Sequence, residues 1–204
     1  MVLTTRQVAA SADDAHESDV GVGTNFDRTR SYVRVDAHSQ NTSRYNGGLR
    51  FANVTIAQGT SILRAWLDIQ VIEANPNMNV DIHAEDEDDA ADFETTEDVT
   101  SRTRTSTSVA WAEDGLPHAT WQRAPNIASV VEEVFARATW SSGNALVLLL
   151  DGRSDLNRAC FVYSYDGDSP RAAQLSIKTG TATAPALTLR NQHSQRNARF
   201  APLL

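Results

Sequence analysis

Residues 124–180 constrain the fold more than any other stretch of this chain. Within 125–137 the apolar residues Ile127, Val130, Val131, Val134 and Phe135 fall at i, i+3, i+4, i+7 and i+8, which is one face of a helix. Asn126 is placed to cap it, and Pro125 keeps the entering chain extended. After Trp140 the run 141–144 is turn chemistry, and 145–150 (ALVLLL) is a continuous apolar run of strand length. Residues 158–165 and 172–178 continue the strand pattern. A helix followed by three strands is built for packing, and it carries no obvious catalytic group.

Upstream the pattern is that of short strands. Residues 61–72 hold the clearest one, with Leu63, Ala65, Leu67, Ile69 and Val71 on one face. Its other face mixes Arg64, Asp68 and Gln70 with Ile62, Trp66 and Ile72, the composition of a face covered by a loop or a neighbouring subunit. Further strands are expected near 7–10, 32–36, 48–54, 80–84, 108–111 and 120–123. The expectation is about eight strands and one helix, near 126–137: an all-β, antiparallel β-sandwich of jelly-roll type.

The chain has 204 residues, enough for one full core plus an arm. The expected division is a single sandwich over 1–180 and an extended C-terminal arm over 181–204. Net charge is −8, which disfavours nucleic acid as a partner. The charge is uneven, because 181–204 contains three arginines and no acid. That segment lacks the sustained alternation of a strand. It is either solvated or an arm docking on an acidic neighbour, with Arg190, Arg196, Arg199, Phe200, Leu203 and Leu204 as its contact residues. Of the 18 basic residues only Lys178 is a lysine. That bias reflects either coding composition or the fixed, forked geometry of arginine contacts. The lone Cys160 excludes a disulfide framework and reads as a buried, inert thiol. No signal-peptide pattern and no membrane-length apolar run is present, so synthesis in the host cytoplasm and no membrane partner are expected.

Several phrases taken together carry a resemblance: SADDAHE (11–17), GLRF (48–51), VTIAQGTSI (54–62), DDAADF (88–93), SRTRTSTSVAW (101–111), SVVEEVFAR (129–137), WSSGNALVLLL (140–150) and YDGDSPRAAQLSI (165–177). They resemble the DNRLRE-like, or carbohydrate-binding-module-like, β-sandwich of environmental bacterial extracellular proteins and phage structural proteins. The resemblance implies a non-enzymatic role. One form is a virion subunit, a decoration or cement protein of a phage head or tail, assembling with other virion proteins or as a homo-oligomer. The alternative is a carbohydrate-binding module attaching to polysaccharide.

Residues 85–98 (EDEDDAADFETTED) hold nine acids in fourteen positions. Oxygen-rich loops can bind Ca²⁺, and Asp88 and Asp89 are the first candidate ligands, but the spacing is not that of an EF-hand loop, and such clusters are commonly solvated faces. Asp13, Asp14 and Glu17 form a smaller cluster. The five histidines, His16, His38, His83, His118 and His193, show no metal-ligand spacing, and no G-x-S-x-G elbow exists. No catalytic residue and no other cofactor is expected. Of Trp66, Trp111, Trp121 and Trp140, all near strands or the helix and suited to packing, Trp66 is the one placed for stacking on a sugar, because its strand face also carries charge.

Overall fold

The computed structural model describes residues 1–19, 26–37, 44–73, 76–94, 98–153 and 160–180. The expected arm, with Arg190, Arg196, Arg199, Phe200, Leu203 and Leu204, lies outside the described residues. In chain order the elements are β1 (Val2–Gln7), a 3-10 turn (Ser11–Asp13), β2 (Asp14–Ser18), β3 (Tyr32–Ala37), β4 (Arg44–Phe51), β5 (Ile62–Gln70), β6 (Met78–Ala84), β7 (Val109–Glu113) and β8 (Trp121–Arg123). There follow α1 (Ala128–Phe135), β9 (Leu146–Gly152), β10 (Cys160–Tyr163), α2 (Tyr165–Asp168), a second 3-10 turn (Ser169–Arg171) and β11 (Gln174–Thr179).

The pairing is nested: β3 with β10, β4 with β9, β5 with β8 and β6 with β7, all antiparallel. That is a ribbon doubled back on itself and wrapped into two layers, the wiring of a jelly roll. One sheet runs β1-β11-β5-β8 and the other β10-β3-β4-β9-β6-β7, with β2 pairing β4 off that path. An antiparallel bridge from Val71 to Val162 stitches the two layers together.

Leu67, Ile69, Val80, Ile82 and Leu148 fill the space between the sheets. Helix α1 adds Val130, Val131, Val134 and Phe135, and Ile127 just ahead of it joins them, each with no exposed surface, as the helical spacing predicts. Its first turn begins after Ile127 rather than at Asn126. The Asn126 side chain still serves that end, accepting from Ala128 N at 3.3 Å, and also from Ala65 N of β5 at 3.0 Å.

Strand β9 explains its own lack of alternation. Leu146, Leu148 and Leu150 face the inter-sheet core, while Val147 and Leu149 join a second cluster with Ala15, Ala90, Phe93 and Val99. A strand covered on both faces reads as an unbroken apolar run. The cover over the outer face is the acidic segment itself. It lies so close that a Cβ on Gly48 would overlap the Phe93 ring, with Cε1 at 2.7 Å.

Part of the run departs from the expected solvated acidic face, while Glu87, Asp89 and Glu94 stay exposed. Arg102 is 8% exposed; it pairs with Glu85 (2.6 Å) and Asp98 (3.0 Å) and donates to the carbonyls of Ala91 and Asp92. Arg104 forks onto both oxygens of Asp151 at 2.8 and 3.0 Å. Buried Glu17 accepts from Val99 N, Thr100 N and the Thr100 hydroxyl. Arginines inside the chain order the run, because each guanidinium reaches several acceptors at once.

Two further expectations shift. Strand β2 has no counterpart among the expected strands, because Asp14, His16 and Glu17 are buried polar groups that leave no apolar alternation to read. Leu63 is 51% exposed, whereas Ala65, Leu67, Ile69 and Val71 are fully buried. A register shift pairs Lys178 with Arg64 but Thr179 with Ile62, so Leu63 is an extra residue pushed out of the ladder.

Candidate binding cleft

Outside the inter-sheet core, β2, β3 and β4 bring together a cluster that sequence reasoning leaves scattered. A cleft of ≈ 170 Å³ is lined by His16, Phe26, Asp27, Arg30, Tyr32, Arg34 and Tyr45. His16 stands across from Gly47 in the β2–β4 pairing, and Tyr45 across from Asp36 at the β3–β4 junction. The alternation of β3 buries Val33 and Val35 in the core and puts Tyr32 and Arg34 on the other face.

The walls are aromatic. His16 stacks on Tyr32 with centroids 5.6 Å apart and meets Tyr45 at 5.9 Å; Tyr32 meets Phe161 edge-on at 4.7 Å. The Arg34 guanidinium lies 4.0 Å from the Tyr45 centroid and 5.3 Å from that of Phe161. The Nε atom of Arg34 is buried and has no hydrogen-bond partner among the described residues, and neither has Nδ1 of His16.

The rim is fixed by Asp27. Its carboxylate accepts from Thr29 N (2.9 Å), Arg30 N (3.1 Å) and Arg30 Nε (2.7 Å), and Arg30 Nη1 donates to the Tyr32 hydroxyl at 3.0 Å. The backbones of His16 and Asp27 exchange both hydrogen bonds, at 2.9 and 3.0 Å. Burial, opposed by Asp27 and reinforced by Arg30 and Arg34, pushes the His16 imidazole down to about 4, so the ring is neutral at pH 7. Asp27 has slight burial pulling it upward, but its donors from Thr29 and Arg30 hold it below the usual carboxylate range. Neither group is poised to exchange a proton near neutrality. What the cleft offers is ring faces, a neutral imidazole and an unsatisfied guanidinium donor.

The residues singled out from sequence lie elsewhere. Asp88 accepts from Arg137 Nε at 2.8 Å and from the Thr139 hydroxyl, and Asp89 accepts from Ala145 N at 2.8 Å. Asp86 pairs with the same Arg137. Among the described residues no group of three or more His, Cys, Asp or Glu side chains is placed to hold a metal ion. Trp66 is half-buried on the outer face of the smaller sheet, with Arg123 over its ring at 4.7 Å, Arg64 at 5.8 Å and its Nε1 donating to Asp68 Oδ2 at 3.1 Å. Trp111 and Trp140 are buried, but Trp121 is 40% exposed, contrary to the packing expected of it. Cys160 is buried, and burial raises its thiol to about 12.

Sequence does carry one signal for the cleft. In 32–35 (YVRV) the valines mark the core face, which leaves Tyr32 and Arg34 together on the opposite one. Their meeting with His16 and Tyr45 depends on long-range pairing that no local pattern encodes.

No family model and no curated protein matches the chain. Among solved structures it is similar to a family 11 carbohydrate-binding module from Clostridium thermocellum, in complex with a β-1,3-1,4-mixed-linked tetrasaccharide. The two share 10% identity over 86% of this chain and 87% of that one, with a TM-score of 0.28.

Proposed function

We propose that this β-sandwich is a non-catalytic polysaccharide-binding module, and that its site is the cleft of His16, Tyr32, Arg34 and Tyr45. The observation that carries the reading is the state of Arg34: a guanidinium held between two rings with its buried Nε unpartnered. A buried donor without an acceptor is costly, so the site favours a ligand that brings one. Sugars fit, because they present oxygen acceptors beside C–H faces that pack on Tyr32 and Tyr45. An acidic sugar fits best, since its carboxylate also answers the charge of Arg34. The downward shifts of His16 and Asp27 argue against acid–base turnover in the same cleft.

Calorimetric titration with oligogalacturonate and with a neutral β-glucan oligosaccharide tests this. Binding of either, weakened about 10-fold to 100-fold by Arg34→Gln or Tyr45→Ala, supports the reading; a charge-assisted hydrogen bond is worth roughly 1.5–3 kcal/mol. Absence of binding to both at millimolar ligand, or binding indifferent to both substitutions, removes it.

A virion structural role draws on a different feature, the exposed apolar residues Val2, Leu3 and Leu63 at one end of the smaller sheet. An assembly subunit would cover them, and a binding cleft is compatible with that role. Co-purification with phage particles tests it.

A further inference from the structure

Strand β1 is the outermost strand of its sheet, paired on one side with β11 from Val2↔Thr179 to Gln7↔Gln174. Among the described residues no strand pairs with its other side. Sheet edges are usually guarded by lysine, proline or a bulge. Residues 2–5 (VLTT) have none of these, and the strand's one charge, Arg6, is turned onto Asn53 O and the Thr55 hydroxyl. Beside this edge lie Met1, Val2 and Leu3, three of the five large apolar residues that are exposed among the described residues. Open backbone groups flanked by apolar side chains are what an added strand satisfies.

We propose that this edge receives residues 186–190 (ALTLR) of a second copy as an antiparallel strand, each copy giving its segment to the other. The segment has the required period of two, with Leu187 and Leu189 on one face and Thr188 and Arg190 on the other. It follows on the end of β11, where Thr179 stands opposite Val2 at the start of β1. A second copy is favoured over the chain's own segment on geometry. β11 ends where β1 begins, so the chain's own 186–190 would have to cross the start of β1 and then run parallel to it. A second copy can approach antiparallel, the more stable pairing, and a reciprocal exchange closes as a two-fold dimer. Net charges are opposite, since 1–180 is acidic overall and the charged side chains of 181–204 are arginines, although Arg6 and Lys178 flank the edge itself. The proposal is independent of the cleft and of any sugar.

Light scattering on the full chain, with hydrogen exchange read at Leu3 and Thr5, whose N–H groups point to the open side of β1, tests it. The expected result is a dimer with slowed exchange at those amides. The Leu187→Asp/Leu189→Asp pair, and separately Leu3→Lys, should each raise the dimer dissociation constant at least tenfold and release those amides, with the melting curve of the sandwich retained. A full chain that stays monomeric at about 100 μM, a concentration at which a 1 μM dimer would be almost complete, overturns the proposal. So does a dimer indifferent to both variants. A monomer whose β1 amides are protected until Leu187 and Leu189 are changed places the chain's own segment on the edge, and also overturns the second copy as occupant.

Discussion

The guanidinium of Arg102 lies 4.3 Å from the centroid of the Phe93 ring, and the two residues together seal the outer face of the larger sheet. Phe93 supplies the apolar surface, while Arg102 neutralises Glu85 and Asp98 and ties down the carbonyls of Ala91, Asp92 and Asp98. Removing one partner of a buried charge network leaves the others unpaired, at a cost of about 3–5 kcal/mol. Arg102→Ala is therefore expected to lower stability by that order in urea denaturation. Arg102→Lys should fall between, since one ammonium cannot reach this many acceptors. A variant within about 0.5 kcal/mol of wild type, the usual range for a surface substitution, would show that the cover is not held by this residue.

How far the sequence could be read follows from this cover. Helix α1 and strands β5, β6, β10 and β11 announce themselves through apolar periodicity, and β9 through its continuous apolar run. The acidic run does not, because a carboxylate row looks the same whether it faces water or arginines distant in sequence. Asp88 and Asp89 are candidate calcium ligands by sequence, where nothing signals that Arg137 and Ala145, about fifty residues away, donate to them. The arginine bias has a physical use in these forked contacts. The cleft is hidden for a related reason: His16 sits on a strand of buried polar residues, and only the β2–β4–β3 pairing places it beside Arg34 and Tyr45.

The contact between Gly48 and Phe93 gives a second test. A Cβ at position 48 would overlap the ring. Gly48→Ala should cost about 1–3 kcal/mol, the range for overpacking. Combined with Phe93→Leu, which reshapes the obstructing side chain, the penalty of the alanine should shrink, a non-additivity measurable in a double-mutant cycle. Strict additivity would mean that the cover does not sit on β4.

Calcium should matter little. A cation at Asp88 and Asp89 would have to displace Arg137, Thr139 and the Ala145 N–H from their carboxylates. The melting temperature is expected to be the same in EDTA and in millimolar calcium. A rise with calcium that is lost in Asp88→Asn or Asp89→Asn would establish the site that the acidic run suggests.

Strand β2 carries two buried groups with opposite pH responses. Asp14 is 1% exposed. Burial raises its carboxyl to about 7, against the donor Tyr165 N and with Asp166 and Asp13 adding to the rise. Between 3.8 and about 7 the folded protein therefore holds a proton that the unfolded chain has released. Its contribution is complete below 3.8 and is lost as pH climbs through 7. His16, pushed from 6.5 to about 4, does the reverse: the unfolded chain takes up the proton first, so stability falls as pH drops from 6.5 toward 4. In wild type the two slopes oppose each other below 6.5. Asp14→Asn keeps the acceptor for Tyr165 N but removes the titration, so relative to wild type it should gain stability as pH rises from 4 to 7. His16→Gln should show the opposite trend, losing stability relative to wild type as pH rises from 4 to 6.5. Taking each variant's melting profile minus that of wild type cancels the carboxylates common to all three proteins. Each difference should amount to a few kcal/mol, since a tenfold change in proton affinity between folded and unfolded chain is worth about 1.4 kcal/mol. A difference profile for Asp14→Asn that is flat between pH 4 and 8 would mean that Asp14 titrates in the fold as it does in the unfolded chain, and that α2 does not bury it.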